Sequence, residues 1–437
     1  MGNEAVASVA FVSLAANAKI FIIFLVGIGL AKYPRDAPLL QQDVLRSLSK
    51  LSNLVLLPAL IVVSLGSALS IKMVARMSIM IAFCVLTNLV SFSIVYTLGS
   101  VLAEADVDLL VAVSVAVGSP NAISFPLMLC QTLCETQLVN VDFGGDAVLC
   151  MTEANAQIFV YSIGWHVCFW SYGWPLLKSL AIAKSPQGPG KMVELAPSYP
   201  AVAWLQQTLL SPSMIAIYVG LLVGLVPSLQ NALFRDFTAL RPLGSALRTL
   251  SEPVVCINTL VTAANLAQID STSLRGFFQR VQDVVSTDAM GWYYSHYSHA
   301  PRVEVASPLH AVESGVPAAL PTPPDKAKNA QQEAPPLPQY RTVFSFLLCR
   351  LVLPPLIMLP VLRLAVDAGW IDRRERLMQL VVCIESAAPS AQLIIVSCTQ
   401  LGNRKVAAQM SFLYVCQYAF SVISVTILIS VAMATIY

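Results

Sequence analysis

Charge is what this chain has least of. Lysine, arginine, aspartate and glutamate make up 11% of its 437 residues, against about 25% in an ordinary soluble domain. So little charge does not build a water-facing surface, and a mean hydropathy of +0.71 excludes a soluble globular protein. The short alternating segments of a membrane β-barrel are missing as well. So are a His-Glu-x-x-His zinc motif, a Gly-x-Ser-x-Gly elbow and a P-loop. Intramembrane proteolysis and ATP-driven transport thereby lose their main support. The chain is expected to be no enzyme and to carry no cofactor. His296 and His299 have no cysteine or carboxylate cluster near them, so no metal site is expected. A net charge of +2, with the basic residues scattered in connections, offers nothing to nucleic acid.

What the sequence has is apolar runs of roughly 20 residues, each long enough to cross a bilayer as a helix. They predict an integral, multi-pass, all-α membrane protein with ten transmembrane helices. The first five spans are 6–31, 48–69, 73–96, 109–133 and 157–177, and the second five are 212–233, 243–266, 343–366, 377–401 and 407–437. Residues 1–177 then form one five-helix repeat, 178–208 an inter-repeat loop, and 209–437 a second repeat. An odd number of spans per half inserts the second half upside down, which makes the repeats inverted. A loop at 268–340 contains a Pro/Ala/Glu/Lys-rich tract, 308–338, too poor in apolar residues to order itself. The N-terminus lacks the basic region of a cleaved signal peptide, so the first span is expected to be a permanent anchor.

Two spans at equivalent places, the fourth and the ninth, are interrupted by proline among small and amide residues. The first interruption reads Ser119-Pro120-Asn121-Ala122-Ile123-Ser124-Phe125-Pro126, and the second Ser386-Ala387-Ala388-Pro389-Ser390-Ala391-Gln392. Proline removes a backbone donor and leaves a carbonyl unpaired, and in hydrocarbon unwound backbone persists only where protein or a polar cavity satisfies it. Paired breaks in two halves point to a midplane substrate site. If Pro120, Pro126 and Pro389 mark a crossover, two half-helix N-termini meet with their partial positive charges, a setting suited to a small carboxylate. Asn121 and Gln392 add amides, and Ser119, Ser124, Ser386 and Ser390 add hydroxyls. The bland alternative is a pair of kinks whose polar residues cap their own backbone.

Other polar residues in the spans are few. Glu385, one turn before Pro389, is a candidate for carrying a coupled proton or for pairing with a neighbouring span. Arg350 either gives positive potential to an anion, or snorkels to the interface, or ties up freed carbonyls. His166 sits among Tyr161, Trp165, Phe169, Trp170, Tyr172 and Trp174, a set read as an interfacial belt in preference to a stacking platform. Most of the ten cysteines lie in apolar spans, while Cys130, Cys134 and Cys150 flank a polar loop where spacing alone does not decide pairing. Connections leaving odd-numbered spans carry nearly twice the lysine and arginine of the opposite set. Both termini are therefore expected outside and both long loops in the cytosol.

These residues resemble the auxin efflux carrier family, the PIN-like and PIN-LIKES transporters. Asn121 followed by Pro126-Leu127 is similar to that family's Gly-Asn-x-x-x-x-Pro-Leu pattern, with Ser119-Pro120 where glycine is usual. Pro389-Ser390-Ala391-Gln392, followed by Thr399-Gln400-Leu401, is similar to its Pro-x-Ala-x-Asn and Gln-Leu run. The resemblance implies ten helices in two inverted repeats, a scaffold domain, and a mobile domain carrying the crossed fourth and ninth helices. It also implies elevator-like transport of a small organic anion such as indole-3-acetate. Two alternatives stand beside it: a proton- or sodium-coupled antiporter of the same architecture, and a membrane receptor or scaffold acting through its cytosolic loop. The partners expected are the organic anion and the lipid bilayer. The membrane, endoplasmic reticulum or plasma membrane, and the oligomeric state, a homodimer included, stay open.

Overall fold

Every regular element among the described residues is helical, and prolines and buried amides decide where the helices stop. The computed structural model describes residues 21–34, 38–69, 71–102, 107–135, 141–182, 209–235, 238–269 and 336–436, with 18, 275, 276 and 279 besides. The start of the first expected span, most of the 178–208 and 268–340 loops, His296 and His299 lie outside them.

The first half of the chain contributes α1 (Phe21–Lys32) and α2 (Gln42–Ala68), α3 (Ile71–Leu102), α4 (Val107–Gly118) and α5 (Ser124–Cys134). Its last helix, α6, covers 147–182 with a π turn at Phe169–Gly173. The second half contributes α7 (Pro212–Leu225), α8 (Pro227–Arg235), α9 (Arg241–Ser251) and α10 (Val254–Leu266). It closes with α11 (Tyr340–Asp367), α12 (Arg376–Ala387), α13 (Leu393–Gln400) and α14 (Arg404–Ile436). By length and hydropathy four of these helices can cross a membrane unaided, or five if the bent pair α7 and α8 counts as one.

Several expected spans differ in detail. The sixth, expected as one span over 212–233, bends by 101° between α7 and α8. Pro227 has no N–H to continue the ladder, and the turned-back α8 places Gln230 Nε2 on the terminal carbonyls of α2, 2.9 Å from Gly66 O and 2.8 Å from Leu69 O. The seventh, expected as one span over 243–266, is two helices that part at Glu252-Pro253. The fifth begins ten residues earlier than expected, at Ala147, because Asp146 caps it through Val148 N and Leu149 N at 2.9 and 3.0 Å.

Packing divides the helices into two groups. In one, α2 lies along α7 and also meets α9 and α10; in the other, α3 packs on α4 and α6, and α12 packs on α11 and α14. Gly224 sets the close approach of the first group: a Cβ there would sit 2.7 Å from Leu65 O. The groups meet where α10 and α2 touch α13, and where α10 touches α14. Four polar pairs cross this seam among the described residues: Thr259 Oγ1 to Gln392 Oε1 at 3.1 Å, Asn265 Nδ2 to Thr399 Oγ1 at 2.9 Å, Asn53 Nδ2 to Gln400 Oε1 at 2.5 Å, and Arg404 Nε to Gln268 Oε1 at 2.7 Å. At one end of the molecule Cys134 and Cys150 form a disulfide between α5 and α6, while Cys130 stays free and buried.

Candidate functional site at the helix crossover

The two interruptions meet. Pro120 and Ser390 face each other in an isolated antiparallel bridge, closed by Asn121 N donating to Pro389 O at 2.7 Å and Ala391 N donating to Ser119 O at 2.9 Å. Each proline unpairs backbone in its own helix, and the other break repairs part of the loss. The rest is repaired by α14. Gln417 accepts from Ser390 N at 2.9 Å and donates to Ser390 Oγ at 3.1 Å. The Tyr418 hydroxyl donates to Ser390 O at 3.3 Å, and the Tyr414 hydroxyl to Ala391 O at 2.8 Å. Unwound backbone at this depth is thus satisfied by protein, as hydrocarbon demands.

The crossing sorts four helix ends into two kinds. On one side lie the C-termini of α4 and α12, whose last carbonyls lack intrahelical donors. Arg350, fully buried, reaches carbonyls of both ends: Nε to Ala388 O at 2.8 Å, Nη1 to Val117 O at 3.3 Å, and Nη2 to Glu385 O at 3.3 Å. Of the three readings open for Arg350, the structure gives the capping of freed carbonyls. Its cation also offsets the partial negative charge of both ends.

On the other side lie the N-termini of α5 and α13, and a cavity of about 60 Å³ opens against them. Asn121 and Ser124 from the first break and Gln392 from the second line it, opposite Asn258 of α10 and the adjacent pair Trp165 and His166 of α6. Asn121 Oδ1 accepts from Ser124 N at 3.1 Å, and its amide donates to the Tyr418 hydroxyl at 3.0 Å. The volume suits a few waters or the head of a small ligand. Both ring nitrogens of His166 and the Trp165 indole N–H are buried without a hydrogen-bond partner. An unpaired buried polar group costs about 1 to 3 kcal/mol, and these three belong to two residues of the cavity wall.

Of the expected site residues, Asn121, Ser124 and Gln392 come together at the cavity. Ser386 and Ser390 do not line it: Ser386 Oγ donates to Cys383 O at 2.8 Å within α12, and Ser390 is held beneath Gln417. Ser119 is buried with its hydroxyl unpartnered and stands outside the lining. Pro126 lies in the first turn of α5, where no N–H is required of it. Glu385 is fully buried, and neither carboxylate oxygen has a partner. The interfacial-belt reading of the aromatic run is corrected, since Tyr161, Trp165, His166, Phe169 and Trp170 all face the protein interior. Among the described residues no group of histidine, cysteine and carboxylates is placed to hold a metal.

A sequence model of the family described as "Membrane transport protein" matches residues 12–282, well over half of the chain. The chain belongs to this membrane transport family. The family includes the PIN-like auxin efflux carriers, in line with the resemblance carried by the two breaks. The matched stretch holds the first break of the transporter, the His166 wall and Asn258, while the second break lies beyond it. No curated protein is similar enough to this chain to count as a match. Sequence reading missed Asn258, Thr259, Tyr414, Gln417 and Tyr418. The only available signal for the last three was a polar i, i+3, i+4 set inside an otherwise apolar span.

Proposed function

We propose that this transporter is a secondary carrier or facilitator of a small organic anion, with ten spans in two inverted five-helix repeats. The observation that carries the reading is the convergence of the α5 and α13 N-termini, with Asn121 and Gln392, on one cavity. A carboxylate there would receive backbone N–H groups and two helix dipoles without a neutralising cation. The cavity lies on the seam between the two helix groups, which supports an elevator-like slide of the crossover group (α3 to α6, α11 to α14) along the scaffold group (α1, α2, α7 to α10). The Cys134–Cys150 disulfide belongs to an oxidising compartment. It sits on the connection that the basic-residue bias leaves outside the cytosol, which supports the expected orientation.

Labelled carboxylates entering vesicles that hold the full chain test the proposal. Asn121→Ala and Gln392→Ala should each reduce flux about tenfold, the effect of losing one hydrogen bond to a charged group. Parent-like flux in both variants sinks the site.

A coupled form of the same function is favoured by Glu385, whose unpartnered carboxylate lies one turn from the break. An imposed proton gradient should speed flux in the parent and leave Glu385→Gln unaffected. Equal stimulation of both removes Glu385 from the coupling.

A further inference from the structure

We propose that a second anion-binding station lies on the same seam, where Lys178, Trp170 and Trp174 face Asn53 around a cavity of about 210 Å³, and that it binds the same small-carboxylate class as the crossover. Only its place on a permeation path rests on the transport reading; the binding site does not.

The two cavities share three helices. Along α2 the lining moves from Leu57 and Leu60 at the crossover to Asn53 and Leu54, along α6 from Trp165 and His166 to Trp170, Trp174 and Lys178, and along α13 from Gln392 to Gln400. Each step is one to three helical turns, roughly 5 to 16 Å. All three point toward the end of α6 opposite the Cys134–Cys150 disulfide. The second cavity is therefore a neighbour of the first on one track, displaced toward the face from which the 178–208 loop leaves.

Its donors fit an anion. The Lys178 ammonium has no carboxylate partner among the described residues. Trp170, which lines the cavity, is 5% exposed, and its indole N–H is buried without a partner. Ser211 and Pro212 bring the positive end of α7 to the lining. Asn53 is 3% exposed, and its Oδ1, buried and also unpartnered, is an acceptor that a bare carboxylate does not satisfy. It selects a ligand carrying a hydroxyl or N–H besides its carboxylate, or a carboxylate arriving with one water. The indole faces of Trp170 and Trp174 give the ligand an apolar body to rest on.

The tryptophans make the station observable without transport. In the purified full chain carrying Trp165→Phe, Trp204→Phe, Trp292→Phe and Trp370→Phe, so that Trp170 and Trp174 alone report and this background serves as the parent, iodide is the anionic quencher of tryptophan fluorescence and acrylamide the neutral control. Lys178→Gln should lower iodide quenching about twofold while acrylamide quenching holds, since one unit charge at short range sets the local anion concentration. Lys178→Arg should restore it, and acetate at constant ionic strength should protect the parent from iodide. Equal iodide quenching in the parent and Lys178→Gln overturns the station. Asn121→Ala and Gln392→Ala should leave the quenching unchanged, so failure of the crossover reading is told apart from failure of this one.

Discussion

Arg350→Met is expected to lose the folded crossover. The guanidinium donates to three carbonyls at the facing C-termini of α4 and α12, and methionine keeps an unbranched apolar stem, stops short of the guanidinium, and donates nothing. Each orphaned carbonyl in a dry interior costs about 1 to 3 kcal/mol, so the summed loss is roughly 3 kcal/mol or more, before the repulsion between two negative helix ends is counted. Arg350→Lys should recover only part of it, because one ammonium on a flexible stem cannot span three acceptors set in a fan. Thermal unfolding of the purified full chain measures this. A melting temperature equal to the parent's in Arg350→Met would show that water or backbone rearrangement satisfies the carbonyls instead.

The second large effect concerns motion. Asn265 on α10 and Thr399 on α13 touch across the seam, 2.9 Å apart, with both side chains buried. If the crossover group slides along the scaffold, this contact must break in every cycle. Asn265→Cys combined with Thr399→Cys, oxidised to a disulfide, should drop flux to background, and mild reduction should return it. Each single cysteine should transport with or without oxidant, which separates the lock from the loss of the hydrogen bond. Full flux through the cross-linked protein would rule out sliding along this seam and leave a rocking or local gate.

How much of this was legible beforehand follows from where each property originates. The breaks at 119–126 and 386–392 were readable because proline's missing N–H acts on its own helix, whatever surrounds it. Asn121, Ser124 and Gln392 were found because they lie within a few residues of that defect. Ser386 and Ser390 sit equally close to it, yet one bonds its own helix and the other lies under Gln417. Sequence distance from the break could not separate them from Gln392, since helix rotation and the α14 neighbour decide which way a hydroxyl points. Arg350 lies 38 residues before Ala388 and 233 after Val117, so its three candidate roles stayed open until those carbonyls were brought to it. His166 was taken for part of a surface belt because a run of aromatics looks alike at a bilayer interface and inside a packed seam. The pairing of Cys134 with Cys150, and not Cys130, depends on how α5 meets α6.

By itself, then, the order of residues settled that this is a helical membrane protein whose fourth and ninth apolar runs must be interrupted, because hydropathy and proline stereochemistry are properties of short stretches. Only the tertiary structure decided that the interruptions cross, that Arg350 and α14 repair the exposed backbone, and that the N-terminal ends open on a cavity walled by His166 and Asn258. Hydrogen bonds between groups tens to hundreds of residues apart form when packing delivers both partners to one place, and no local pattern encodes that meeting.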